Sequence, residues 1–250
     1  MGRIVAIVNQ KGGVGKTTTA VNLTAALTRK GVRVLLVDFD PQANASSGLG
    51  IPRRSRYSSY DVVINKVPIE QAIVHTEWGD VLPSSSALVG ASVELTGLER
   101  REYVLKEALE PVRDRYDYIW IDCPPSLELL TLNGLCACSQ ILIPVQCEYY
   151  ALEGLSDLMT TMRVVKRRLN PELSIFGVLL TMFDGRTNFS NQVAQEVRKH
   201  FPGKVYATVI PRTVRLAEAP SYGEPVITFD KHSRGTQAYL DVADEILRNQ

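Results

Sequence analysis

The chain has 250 residues, 45% of them hydrophobic and 22% charged, with a formal net charge of +1. That length can bury one sizeable core, and α/β folds of this size commonly run as a single domain, here expected over 1–250. The near-neutral balance excludes recognition driven by bulk charge, so any electrostatic partner must be met by a local patch.

The first predicted strand is the apolar run Ile4–Val8, too short for a signal peptide. It leads into "NQKGGVGKTTT", a glycine-rich turn, and then into a helix marked by Ala20, Leu23 and Leu27 and stopped near Gly31. Val32–Val37 predicts the second strand, and residues 46–60 ("SSGLGIPRRSRYSSY") read as the main loop-like insertion. Further strands are expected at Tyr118–Ile121, Ile141–Val145, Ile175–Thr181 and Val205–Ile210. Helices are expected over 86–110, 126–138, 151–168, 190–201 and 235–248. The strands are near-continuously apolar, as parallel strands covered on both faces are. The predicted fold class is therefore α/β: a mostly parallel twisted sheet flanked by helices on both faces.

No run approaches 18 apolar residues, so no membrane-spanning helix is expected. Cys123, Cys136, Cys138 and Cys147 form no C-x-x-C pair. They read as buried reduced thiols of a cytoplasmic protein rather than a zinc site or disulfides.

In "NQKGGVGKTT" a strand ends, glycines turn the chain, and a helix begins at about Lys16, the context a phosphate loop requires. Gly12, Gly13 and Gly15 let backbone N–H groups curl toward phosphate oxygens, with Val14 between them. The helix N-terminus adds partial positive charge, carried on by the backbone of Thr18. Lys16 is placed to reach the β- and γ-phosphates, and Thr17 offers a hydroxyl to Mg²⁺. The usual first glycine of G-x-x-x-x-G-K-[ST] is replaced by Gln10, and Lys11 supplies a second cation.

Two segments complete the site. Asp38 and Asp40 follow the second strand in "VLLVDFDPQANASSGLG", and Asp122 ends "YIWID". All three fall at or beyond strand C-termini, where ligands bind in open α/β sheets. Taken singly, such an aspartate is ordinarily a turn or helix cap; three after the right strands, beside the glycine loop, point to a Mg²⁺-nucleotide site. The guanine-reading pattern N/T-K-x-D is broken in "NKVP" by Pro68, which favours adenine.

"KGGVGKT" resembles the deviant Walker A motif of the ParA/MinD/nitrogenase-iron-protein superfamily of P-loop NTPases. "DFDPQANASSGLG", "PVQCEYYALEGL", "TMFDGRT" and "IPRTVRLAEAPSYGEPV" narrow the resemblance to the Soj subgroup of ParA partitioning ATPases. The resemblance implies ATP and Mg²⁺ as cofactors and slow ATP hydrolysis. It implies a sandwich homodimer in which Lys11 reaches the other subunit's phosphates, so that Lys11, Lys16 and Asp40 carry catalysis. Asp40 would orient the attacking water, Asp122 would hold Mg²⁺ through water, and Asp38 would support the Mg²⁺ shell beside Thr17. Adenine contacts map to Met182, Pro211, Arg212 and Thr213, where the family usually has asparagine at the last position.

The same resemblance implies nonspecific double-stranded DNA as a partner of the ATP dimer, a ParB/Spo0J-type centromere-binding protein as the stimulator of hydrolysis, and a nucleoid-associated location. Charge points the same way. Residues 163–215 carry ten basic and three acidic side chains, a net +7 in a chain of net +1, which suits a phosphate backbone read without sequence. Arg186 and Arg215 match the family's DNA-binding positions, with Lys199 and Lys204 as further candidates. Lys166, Arg167 and Arg168 could equally complement a helix dipole. The alternative is a MinD-like membrane-associated ATPase that positions cell division, which would want a basic amphipathic C-terminal helix. Here Tyr239, Val242 and Ile246 form the apolar stripe, while Asp241, Asp244 and Glu245 make the other face acidic, so packing on the sheet is expected.

Overall fold

The structure, a computed structural model, describes residues 2–148 and 151–249. Tyr149 and Tyr150 of the "PVQCEYYALEGL" block lie outside the described residues. Among the described residues seven strands form one sheet: β1 Arg3–Ile7, β2 Val34–Asp38, β3 Val74–Thr76, β4 Gly79–Leu82, β5 Tyr118–Asp122, β6 Gln140–Gln146 and β7 Ser174–Thr181. Their order is β3-β4-β2-β5-β1-β6-β7, parallel throughout except for the β3–β4 pair at one edge.

The apolar runs explain the strands. Every residue of β2 and β5 is buried, because helices cover both faces of the sheet. One face packs Ile4, Leu35, Ile119 and Ile143 under the helices Val104–Leu109, Leu129–Ala137 and Ala151–Arg168. The other packs Val5, Leu36, Trp120 and Leu142 under the helices Lys16–Arg29 and Arg234–Arg248. There Tyr118 stacks on Trp120 with ring centroids 5.4 Å apart.

The last helix behaves as its stripe predicts. Tyr239, Val242 and Ile246 are buried against the helix Lys16–Arg29, leaving no apolar face for a lipid surface. Among the described residues no helix is long and apolar enough to cross a membrane.

Three expectations need correction. The helix expected over 86–110 is broken into Leu88–Glu94, a 3₁₀ turn Leu95–Gly97 and Val104–Leu109. The interruption contains Arg100 at φ +57°, a left-handed conformation no helix continues through. The loop expected at 46–60 holds parts of two short helices, Asn44–Gly48 and Ser59–Val63, the second opened by a capping box between Ser58 and Asp61. The strand expected at Val205–Ile210 is only a companion to β7. Tyr206 N–H donates to Val178 O and Ile210 N–H to Leu180 O, but the N–H groups of Ala207 and Thr208 donate instead to the Glu245 carboxylate at 2.9 and 2.7 Å. A side chain has taken the hydrogen bond that Thr208 would give the ladder.

Candidate functional site

β1 delivers the glycine loop to the C-terminal edge of the sheet. Asn9 anchors it: its Nδ2 donates to Pro144 O at 2.8 Å, while its Oδ1 accepts the Lys11 N–H at 3.0 Å. Gly13 and Gly15 have φ of +74° and +89°, so both turns need residues free of a Cβ. Gly15 is the N-cap of the helix Lys16–Arg29, and no side chain caps that end. Its first N–H groups are thus available to an anion, with the helix dipole behind them.

Lys16 is buried, and its Nζ donates to Lys11 O at 3.3 Å. Burial holds its pKa below the usual lysine value, although Asp122, Cys123 and Asp40 pull the other way. The carboxylates around it stand out more. Asp122 is fully buried, and neither of its oxygens has a hydrogen-bond partner among the described residues. Desolvation pushes its pKa well up, Asp38 and Asp40 add to the push, and the nearby Thr17 hydroxyl and Lys16 oppose it. Asp38 is also fully buried and raised to about 6, chiefly by desolvation. Its oxygens accept from Ser46 N at 2.8 Å, Ser46 Oγ at 2.7 Å and Asp40 N at 3.3 Å, so it ties down the turn at Asn44–Gly48. Asp40 accepts from Gln42 N at 2.9 Å.

An unpartnered buried carboxylate beside a hydroxyl fits a divalent cation. Among the described residues no group of three or more His, Cys, Asp or Glu side chains could hold a metal alone. That suits Mg²⁺, which keeps waters and phosphate oxygens in its octahedron. Thr17 and Asp122 could hold it, with Asp38 behind them.

Beside the glycine loop lies a cavity of about 220 Å³, the candidate base end, lined by Gly15, Thr18, Met182, Pro211, Arg212, Thr213 and their neighbours. The structure thus brings together all four positions expected to meet adenine, from β7's end and the loop after it. Met182 is held at φ +50° there. The Thr213 hydroxyl is used as a helix N-cap, accepting the Arg215 N–H at 3.3 Å. Leu216 and Ala217, inside the block "IPRTVRLAEAP" that the resemblance matches to adenine contacts, stand in the same wall, and sequence reasoning missed Tyr239 there. Tyr239 was legible only as core, yet its hydroxyl meets Thr19 Oγ1 at 3.2 Å. It missed Glu148 as well: Lys11 Nζ lies 3.5 Å from Glu148 Oε2, and Arg212 Nη2 lies 3.0 Å from Oε1.

Cys123 is a packed thiol: an added Cβ on Gly134 would sit 2.7 Å from its sulfur. All four cysteines are free and buried.

The basic candidates are not one bare cluster. Arg186 is clasped by Asp184, Nε to Oδ1 at 2.9 Å and Nη2 to Oδ2 at 2.8 Å, which lowers the Asp184 pKa to about 2. Arg215 pairs with Glu218 at 3.0 Å and Asp230 at 3.1 Å. Lys199 is exposed and loosely paired with Glu196 at 3.8 Å. Lys204 lines a separate cavity with Arg3 and Gln140, which start β1 and β6.

Comparison with known proteins agrees with this architecture. The AAA-domain family profile matches residues 2–175. The sporulation initiation inhibitor protein Soj of Bacillus subtilis is 56% identical over 252 residues, covering 100% of both chains. The chromosome partitioning protein ParA of Caulobacter vibrioides is 51% identical, covering 99% of this chain and 95% of its own. The crystal structure of a cobyrinic acid a,c-diamide synthase from Mycobacterium smegmatis, with bound ATP analog and magnesium, superimposes with a TM-score of 0.87 at 39% identity, covering 100% of this chain and 96% of that one. The chain belongs to the Soj/ParA family of chromosome-partitioning ATPases, with ATP and Mg²⁺ as its cofactors.

Proposed function

We propose that the chain is a nucleotide-timed DNA clamp for chromosome or plasmid segregation. In this reading Lys16, Gly12, Gly13, Val14, Gly15 and Thr18 grip the triphosphate, and Thr17 and Asp122 bind Mg²⁺ with Asp38 supporting them. Mg²⁺ supplies charge neutralisation at the β- and γ-phosphates when bound. Asp40 orients the attacking water. Met182, Pro211 and Arg212 enclose the adenine, with Thr213 contributing backbone because its hydroxyl caps a helix.

Lys11 exchanges Glu148 for the γ-phosphate of a second subunit, making the dimer conditional on ATP. The paired subunits hold double-stranded DNA without reading sequence, through Arg186, Arg215 and Lys199, and so associate with the nucleoid. Lys204 is the weakest of the candidates, because it lies beside the other end of the sheet. A ParB/Spo0J-type partner accelerates hydrolysis and ends the clamp.

The observation that carries this reading is the convergence on one crevice of two lysines, an orphaned buried carboxylate and an apolar base cavity. The test is binding of a random-sequence duplex with ATP, with ADP and without nucleotide, in Mg²⁺. Retention is expected with ATP alone and should fall steeply with salt. Equal retention in all three conditions removes the nucleotide switch.

A further inference from the structure

Both arginines expected to meet DNA are already paired with carboxylates. Arg215 uses Nη1 on Glu218 Oε2 at 3.0 Å and Nε on Asp230 Oδ2 at 3.1 Å. All three side chains are partly exposed, 54% for the arginine, 42% for Glu218 and 29% for Asp230. A guanidinium holding two carboxylates presents a local charge of −1 to an approaching phosphate. Both acids lie outside residues 163–215, the window whose net charge is +7, so the sequence count misses them.

We infer that Glu218 and Asp230 are built-in competitors for phosphate at Arg215, so that DNA binding there is an exchange of carboxylate for phosphodiester oxygens and not the filling of an open cationic site. The inference rests on Arg215 being a DNA contact. Its physical basis is geometric matching: carboxylate and phosphate both take the planar guanidinium fork, so they compete for the same donors. Exposed ion pairs of this kind are individually weak, so phosphate can displace them, but each displacement cuts what a single phosphate gains. Several phosphates engaged at once, as on a dimer, gain enough. The device acts at each Arg215, so a pair of subunits meets it twice. It also joins the helix Val214–Glu218, whose Leu216 and Ala217 line the base cavity, to the segment at Asp230.

The experiment compares Glu218→Gln, Asp230→Asn and the double variant with the unaltered chain. Duplex affinity is measured by anisotropy with Mg²⁺ and ATP over a range of salt. Glu172→Gln makes each single variant's charge change on an exposed residue away from Arg215 and serves as control, its effect on binding free energy being counted twice against the double variant. Asp230→Asn keeps an oxygen for the His232 N–H that Asp230 Oδ1 accepts, and Glu218→Gln is a surface change, so at least one variant should fold.

The expected result is tighter binding, about threefold or more for the double variant beyond the control, with the logarithmic salt slope steeper by about one. DNA affinity without nucleotide should rise by a smaller factor, because a lone subunit brings one Arg215 and a dimer two. Unchanged or weaker binding in the folded variants, with ATP binding and dimerisation retained, overturns the competition. Arg215→Ala separates the two levels: if it leaves affinity intact, Arg215 is not a DNA contact and the underlying reading fails. If it abolishes affinity while the acid variants match the control, only the competition fails.

Discussion

Asp122 is the residue whose state asks most of the protein. Its carboxylate sits fully buried without a hydrogen-bond partner among the described residues, next to Asp38, itself raised to about 6 by burial. A carboxyl raised in the folded state is destabilising once the unfolded chain can ionise. Below about pH 4 both states of Asp38 hold the proton. Between about 4 and 6 the unfolded chain releases it first, so stability falls as pH rises, and above 6 the penalty stays constant at about 3 kcal/mol. Asp122 acts in the same direction. The nucleotide-free protein should therefore lose melting temperature as pH is raised from 4 to 6, unlike the Mg²⁺-ATP form; calorimetry of both forms checks it. Asp122→Asn should stabilise the nucleotide-free protein at pH 7 by about 1–3 kcal/mol, several degrees in Tm. It should also abolish the extra stabilisation that Mg²⁺ adds to ATP. A variant less stable without ligand would show that the carboxylate is paid for by contacts other than the cation.

At the scale of elements, the sequence makes the strand–turn–helix at residues 4–29 legible because every cue there is local: an apolar run, glycines at positive φ, and a helical stripe. The segment at 205–210 is illegible for the opposite reason. Its β-branched residues have strand propensity, but a carboxylate about forty positions away holds two adjacent N–H groups, of which a strand would give Thr208's to β7. The β3–β4 hairpin escapes notice because strands of three and four residues carry too little pattern. Among site residues, Met182 and Pro211 are carried by recognisable blocks with a role attached, whereas Glu148, though inside "PVQCEYYALEGL", and Tyr239 show their place only through tertiary packing. Glu245 thus positions the far wall of the base cavity, since Ile210 and Pro211 directly follow the segment it holds. Glu245→Ala should cost about 1 kcal/mol, because half-exposed N–H groups recover water. It should weaken ATP binding severalfold with the Mg²⁺ requirement unchanged. Thermal melting and nucleotide titration measure the two effects, and intact affinity in a destabilised variant would confine Glu245 to the fold.

For the whole molecule, the question is how a terminal phosphate becomes a change of assembly. In the proposed cycle Lys11 answers it through where it is held. Its ammonium lies 3.5 Å from Glu148, and that carboxylate also holds Arg212 at the base cavity. The pair is partly exposed, so it is worth at most about 1 kcal/mol. A γ-phosphate bearing more charge can draw the lysine away at small cost, and ADP, lacking that group, has less to offer. Binding and assembly should then separate cleanly. Lys11→Ala should bind ATP within about threefold of the unaltered chain, because Lys16 and the loop N–H groups remain. The same variant should sediment as a monomer at every ATP concentration and should lose duplex retention, since two weak patches no longer act together. Sedimentation with the slowly hydrolysed analogue AMPPNP decides the point, because it removes turnover from the comparison. A stable dimer of Lys11→Ala under those conditions would assign assembly to some other contact and leave Lys11 a role in hydrolysis alone.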